Sequence, residues 1–400
     1  MQRQLLLVAL YAGMPAMSSE LTARTFWLDK INQVWRHSVL WLSGVRRVGK
    51  TCLSKTVSEI EYFDCELLRV RQQMEDPEAF LEDLKGRRII LDEIHRLSNP
   101  SELLKIAADH YREVKIIATG SASLGASARF RDTLTGRKSE LWLTPMTTAD
   151  LVDFGQRDLQ GRLLRGGLPP FLLEPNLPER EFQEWMDAYW AKDILELFRL
   201  ERRHSFQSFL ELLMAQSGGM FEATRFSRPY EVSRTTISNY LSVLEETFVV
   251  HVVRPFSTHR PTEIVAAPKV YGFDTGFVSY YKGWNELHQE DLGLLWEHCV
   301  LNEIHAQLQT GQIRYWRDKR GHEIDFVIAR RNHMPTAIEC KWSAADFDPS
   351  ALKAFRRQYP QGKNYVIAND VTRHYRRHFE HQEISFVNLE DLIRALMGDG

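Results

Sequence analysis

The chain has 400 residues, 44% of them hydrophobic and 26% charged, the make-up of a globular protein with two or three domains and well-filled cores. Its net charge of -2 excludes a global basic field for nucleic acid, so any such contact must come from a local patch. Its four cysteines, Cys52, Cys65, Cys299 and Cys340, form no CxxC pair, which argues against a zinc site or a disulfide framework and for a reducing compartment, the cytoplasm.

The run Leu5 to Leu10 after Arg3 reads as a helix or strand packed on the first domain. A signal-peptide h-region is the alternative, and Met14 and Met17 are candidate initiators. No run approaches the ~20 apolar residues of a membrane span, so no membrane partner is expected. Residues 1–175 alternate short apolar strands with helical patterns, as in a parallel α/β sheet; the strands are Val39 to Leu42, Arg88 to Leu91 and Lys115 to Thr119.

Gly44-Val45-Arg46-Arg47-Val48-Gly49-Lys50-Thr51 fits the P-loop pattern between a strand and a helix expected to begin near Lys50. Its glycines let backbone amides turn inward around phosphate oxygens, and the helix N-terminus adds a favourable dipole. Lys50 is expected on the β- and γ-phosphates of ATP and Thr51 on Mg2+. Cys52 closes the loop. Arg88-Ile89-Ile90-Leu91-Asp92-Glu93 is the Walker B arrangement, an apolar strand ending in two carboxylates. Asp92 is expected to hold Mg2+, and Glu93 to orient or deprotonate the attacking water. A polar residue after the next strand is where AAA-type ATPases place a γ-phosphate sensor: Ser121 first, with Thr119 close behind. Of Arg129, Arg131 and Arg137, Arg137 is the preferred arginine finger, acting on a neighbouring subunit.

Residues 176–258 read as helical, ending in a short strand at Phe248 to Val253. Ser233 can cap a helix whose apolar stripe is Ile237, Leu241 and Leu244. Helix, helix, then a short hairpin is the winged-helix pattern, with Arg234, Thr235, Ser238 and Asn239 facing a DNA groove. Against DNA stand Glu245 and Glu246, which repel phosphate. Residues 259–400 mix strands (Lys269 to Phe273, Ile313 to Trp316, Ile324 to Ile328, Thr336 to Cys340, Asn364 to Ile367) with helices (Leu292 to Gln309, Ala351 to Gln358).

The chain resembles the bacterial and archaeal AAA-type ATPases fused to a C-terminal domain of unknown function with a restriction-endonuclease-like fold. The resemblance rests on the P-loop, on Leu-Asp-Glu-Ile-His at 91–95, and on Thr-Gly-Ser at 119–121. It continues through Gly136-Arg137, Arg165-Gly166-Gly167-Leu168-Pro169, Lys192-Asp193-Ile194, and Lys269-Val270-Tyr271-Gly272-Phe273-Asp274-Thr275-Gly276. It ends with Tyr315-Trp316-Arg317-Asp318, Glu323-Ile324-Asp325-Phe326-Val327 and Ile338-Glu339-Cys340-Lys341. Cys52 departs from the family's more usual threonine. The resemblance implies an α/β fold in three parts: a P-loop NTPase parallel sheet (1–175), a helical and winged-helix region (176–258) and a mixed α/β restriction-endonuclease-like domain (259–400).

The last part resembles the PD-(D/E)XK nuclease core. Asp325 is its acidic residue, Glu339-Cys340-Lys341 the ExK, and Glu297 the extra acid on the preceding helix. Strand periodicity puts residues 339 and 341 on one face. Two carboxylates suit a hard divalent ion, Mg2+ or Mn2+, and the lysine suits water or the pentavalent phosphate. The expected function is Mg2+-dependent ATP hydrolysis by a protein that acts on or senses DNA. The alternative is a nucleotide-controlled switch or scaffold with an inactive nuclease-like domain. The sequence leaves a homo-oligomer and a protein partner open.

Overall fold

The computed structural model describes residues 21–120, 132–174, 179–195, 202–229, 232–258, 267–330 and 333–398. The expectations for Leu5 to Leu10, Ser121, Arg129 and Arg131 lie outside the described residues. Among those residues no helix is long and apolar enough to cross a membrane, and the four cysteines are unpaired.

The first sheet is wholly parallel. Its strands are β1 Val39–Ser43, β2 Ile60–Asp64, β3 Arg88–Asp92, β4 Lys115–Thr119 and β5 Lys138–Trp142, in the order β2-β3-β4-β1-β5. Alternate side chains of its central strands enter different cores, as strand geometry requires. Leu40, Leu42, Ile90 and Ile117 face one core, and Val39, Trp41, Ile89, Leu91, Ile116 and Ala118 the other. Burial on both faces makes β1, β3 and β4 continuous apolar runs. The edge strands β2 and β5 are mostly half-buried, lack such runs, and were not anticipated.

The first of these cores continues without a break into the middle region, through Trp185, Tyr189, Phe206, Phe209, Tyr240 and Leu244. There the order is helix Arg203–Ala215, strand β6 Gly219–Met220, helices Ala223–Ser227 and Arg234–Glu246, then strands β7 Val250–Pro255 and β8 Lys269–Gly272. Ser233 caps the third helix, accepting from the Thr236 amide at 3.0 Å. Strand β7 starts two residues later than expected because Phe248 takes a left-handed φ of +62° after the helix. Strand β8 pairs antiparallel with both β6 and β7.

The remaining strands are β9 Ile313–Arg317, β10 Glu323–Ile328, β11 Thr336–Lys341, β12 Asn364–Ala368, β13 Tyr375–Phe379 and β14 Gln382–Val387. Parallel pairing of Arg254 and Pro255 with Arg314 and Tyr315 joins β7 to β9. One nine-stranded sheet therefore runs β13-β14-β12-β11-β10-β9-β7-β8-β6. Helix Gln289–Leu308 contributes Leu295, Trp296 and Cys299 to the core on one side, and helix Ser350–Gln358 contributes Leu352 and Phe355 to the core on the other.

Two sequence motifs turn out to join distant segments. Asp274 is buried and accepts from the amides of Gly167 at 2.6 Å and Gly276 at 2.9 Å. A Cβ on Gly166 would fall 2.0 Å from the Asp274 Oδ1, so only glycine admits this approach. The first domain also docks on helix Gln289–Leu308. The Thr148 amide donates to Glu303 at 2.5 Å, and Asn302 Nδ2 donates to the Pro145 carbonyl at 3.1 Å.

Candidate nucleotide site and C-terminal acidic cluster

The P-loop leaves β1 at Gly44, where φ is +141° and a Cβ would lie 2.5 Å from the Leu143 carbonyl oxygen. Glycine is therefore required sterically as well as conformationally. The following helix starts at Lys50, as the motif predicts. The Lys50 ammonium donates to the carbonyls of Gly44 at 2.9 Å and Val45 at 3.1 Å. Loss of hydration lowers its pKa from the usual lysine value, against the opposing fields of Glu93 and Asp193.

Because β4 lies between β1 and β3, the ends of the three strands converge. Thr51 Oγ1 donates to Asp92 Oδ2 at 2.9 Å, Tyr62 Oη donates to the same oxygen at 2.8 Å, and Thr119 Oγ1 donates to Asp92 Oδ1. Thr119 also accepts from the Glu93 amide at 3.2 Å. Glu93 takes a left-handed φ of +53°, which is uncommon away from glycine and asparagine and is found at functional sites. That turn aims its carboxylate into the cavity, 3.1 Å from His95 Nδ1. Burial pushes the Glu93 carboxyl up, but the His95 hydrogen bond and charge, with Lys50 and Arg46, outweigh it and hold it below the usual glutamate value.

The cavity over the P-loop measures about 510 Å3 and is lined by Gly44, Val45, Arg46, Arg47, Gly49, Lys50, Thr51, Cys52 and Glu93. Val48 is buried beneath it. The rest of its wall comes from residues that the motifs did not assign. Arg24 lines one side, with its guanidinium on Asp150 at 2.8 and 2.6 Å and on the Val48 carbonyl at 3.0 Å. Trp185, Tyr189 and Asp193 of the middle region form the roof. No local sequence signal marks Arg24 or Trp185. Asp193 stands in the Lys192-Asp193-Ile194 motif.

Arg137 is not brought to this cavity. It precedes β5 at the opposite edge of the sheet, with Nε 2.7 Å from Asp109 Oδ1. Five strand residues at ~3.3 Å each separate it from the ligand edge. Within one chain it cannot serve the phosphates.

In the C-terminal domain Asp325 and Glu339 face one ammonium. Lys341 Nζ is 3.0 Å from Glu339 Oε2 and 3.9 Å from Asp325 Oδ2. The register that pairs Phe326 with Ile338 sets residues 325 and 339 opposite each other. Burial, then the charge of Asp325, pushes Glu339 up to about 8. Asp325 is raised by burial and by Glu297. Glu297 is held elsewhere, by Lys269 Nζ at 2.9 Å and by the Tyr271 hydroxyl. Lys269 also contacts Glu323 at 2.8 Å.

Of the residues expected to form a metal set, Asp325 and Glu339 meet at Lys341, while Glu297 meets Lys269. The three carboxylates share a neighbourhood, but two lysines, one of them from β8, neutralise them. Among the described residues no group of three or more His, Cys, Asp or Glu is spaced to hold a metal ion.

Three stretches of the chain match known family models. Residues 36–152 match the family model of an AAA domain. Residues 156–288 and 292–390 match two domains of unknown function, DUF8612 and DUF4143. The uncharacterized proteins Rv2008c of Mycobacterium tuberculosis and Mb2031c of Mycobacterium bovis are each 27% identical over 334 residues, 80% of this chain and 73% of theirs. Among solved structures, the Walker-type ATPase PABY2304 of Pyrococcus abyssi is similar at 15% identity and a TM-score of 0.42, over 68% of this chain and 99% of its own. The P-loop and the acidic strand end thus meet at one cavity within the stretch that matches the AAA-domain family model.

Proposed function

We propose that the protein is a Mg2+-dependent ATP hydrolase whose turnover is coupled to DNA held by its middle and C-terminal modules. One observation carries the hydrolase part: Lys50, Thr51 and Glu93 line a single cavity of about 510 Å3, and Asp92, buried beneath, accepts from Thr51. On binding ATP, Lys50 exchanges its two carbonyl partners for phosphate oxygens. Thr51 and Asp92 are the residues that would hold Mg2+, which supplies charge neutralisation on the phosphates. Glu93, kept ionised by His95, accepts the proton of the attacking water. Thr119 touches both Asp92 and the Glu93 backbone, which favours it over Ser121 as the γ-phosphate sensor. Arg137 serves as a finger only across a subunit boundary, in a homo-oligomer.

The DNA part is supported by the middle region. Three helices with an antiparallel β6-β8-β7 sheet match a winged helix, and Arg234, Thr235, Ser238 and Asn239 are exposed on its third helix. Glu245 repels phosphate less than its charge suggests, because Arg254 holds it at 3.1 Å. The C-terminal strands and helix suit a nuclease-like fold. With Glu297, the third acid, held by Lys269 rather than at the Asp325–Glu339 pair, we assign that module to binding without cleavage.

A second reading, a nucleotide switch with slow hydrolysis, is favoured by the roof that the middle region places over the P-loop. Turnover of ATP with and without duplex DNA separates the two. Glu93→Gln should bind ATP and retain it unhydrolysed; a variant that hydrolyses at the wild-type rate would refute the role given to Glu93.

A further inference from the structure

The hydrolase reading leaves a charged pair at the cavity roof without a task. Arg46, inside the P-loop, places its Nε 2.9 Å from Asp193 Oδ2, with side chains 26% and 9% exposed. Trp185 Nε1 donates to the Arg46 carbonyl at 3.0 Å. The middle region therefore holds this residue by both its backbone and its side chain.

The guanidinium is close to the reacting groups. Lys50, Glu93 and Asp193 share the cavity wall with it. Asp193 points there from a π-helical turn, Tyr189–Ile194. The extra residue in such a turn rotates the following side chains away from their α-helical directions, and these turns concentrate at functional sites. Burial pushes the Asp193 carboxyl up, with Arg46 opposing it. An ion pair formed only to clamp two segments gains little where desolvation costs this much.

We propose that Arg46 supplies, within one chain, the positive charge that stabilises phosphoryl transfer, and that Asp193 is the positioning residue that holds it. The proposal rests on the ATP-hydrolase reading. In the reaction the water oxygen bonds to the γ-phosphorus, and the bond from that phosphorus to the β,γ-bridging oxygen breaks. The bridging oxygen departs on ADP with the electron pair, and the water proton passes to Glu93. Negative charge grows at the bridging and γ-oxygens, where a second cation beside Lys50 lowers the barrier. Because Asp193 and Trp185 belong to the middle region, hydrolysis depends on that region being docked.

The test uses the full chain and measures direct ATP binding separately from single-turnover hydrolysis. Arg46→Ala should slow hydrolysis by about a thousandfold, in the range lost with a charge-stabilising arginine. Asp193→Asn should slow it by up to about a hundredfold through misplacement of that arginine, with ATP affinity within about threefold of wild type. Asp193→Glu should recover part of the rate, and its thermal melt controls for folding. The double variant Arg46→Ala/Asp193→Asn should be no slower than Arg46→Ala alone, since Asp193 acts through Arg46. Asp193→Asn at the wild-type rate, or a double variant slowed by the product of the two single effects, would overturn the proposal while leaving the hydrolase reading intact. A wild-type chain with no turnover would overturn both.

Discussion

Arg24 lies outside every sequence motif, yet its removal should damage both the fold and the nucleotide site. Its guanidinium makes two bonds to Asp150, whose side chain is 0% exposed. Without Arg24 that carboxylate keeps only neutral donors: the Thr147 amide at 2.8 Å, the Thr147 hydroxyl at 2.9 Å and Trp27 Nε1 at 3.2 Å. Leaving a buried charge without its counter-ion costs about 3–5 kcal/mol. Arg24→Met, which keeps the apolar stem, should therefore destabilise by that amount. Adding Asp150→Asn removes the orphaned charge and retains an acceptor for Thr147 and Trp27, so Arg24→Met/Asp150→Asn should be more stable than Arg24→Met by at least about 1 kcal/mol. Urea denaturation followed by tryptophan fluorescence measures both. ATP affinity should fall in parallel, because Arg24 also anchors the Val48 carbonyl of the P-loop. A single variant within about 1 kcal/mol of wild type, or a double variant less stable than the single, would refute this account.

Three further outcomes are expected. Lys50→Ala removes the ammonium at the cavity floor and should abolish measurable ATP binding in a direct titration; near-normal affinity would remove the P-loop assignment. Burial raises Glu303 to about 7, so the folded state holds its proton above the unfolded carboxyl's pKa, and stability falls as pH rises from about 4.5 towards 7. Glu303→Gln should therefore match wild type near pH 4.5 and gain on it by up to about 3 kcal/mol by pH 8; a difference in melting temperature that does not change with pH would exclude this. Arg234→Ala with Asn239→Ala should weaken duplex DNA binding and reduce the salt slope by about one, the contribution of one phosphate contact, and unchanged binding across a salt series would assign the middle region a purely structural role.

The sequence by itself determined the parts whose physics is local. The P-loop places its glycines, lysine and threonine within eight consecutive positions, and a strand-to-helix turn is enough to orient them. Strands β1, β3 and β4 were legible because burial on both faces demands unbroken apolar runs, and the edge strands escaped for the opposite reason. Asp325 and Glu339 were legible as neighbours because a hairpin's register follows from its period of two. Which charges meet across the chain was decided by tertiary structure alone. Arg24 finds Asp150 over 126 positions, Arg46 finds Asp193 over 147, and Lys269 reaches Glu323 over 54. Lysine and arginine side chains carry no directional pattern in sequence, and several carboxylates compete for each. Only the packing of the middle region on the P-loop, and of β8 beside the C-terminal cluster, removes water from particular pairs and so selects them.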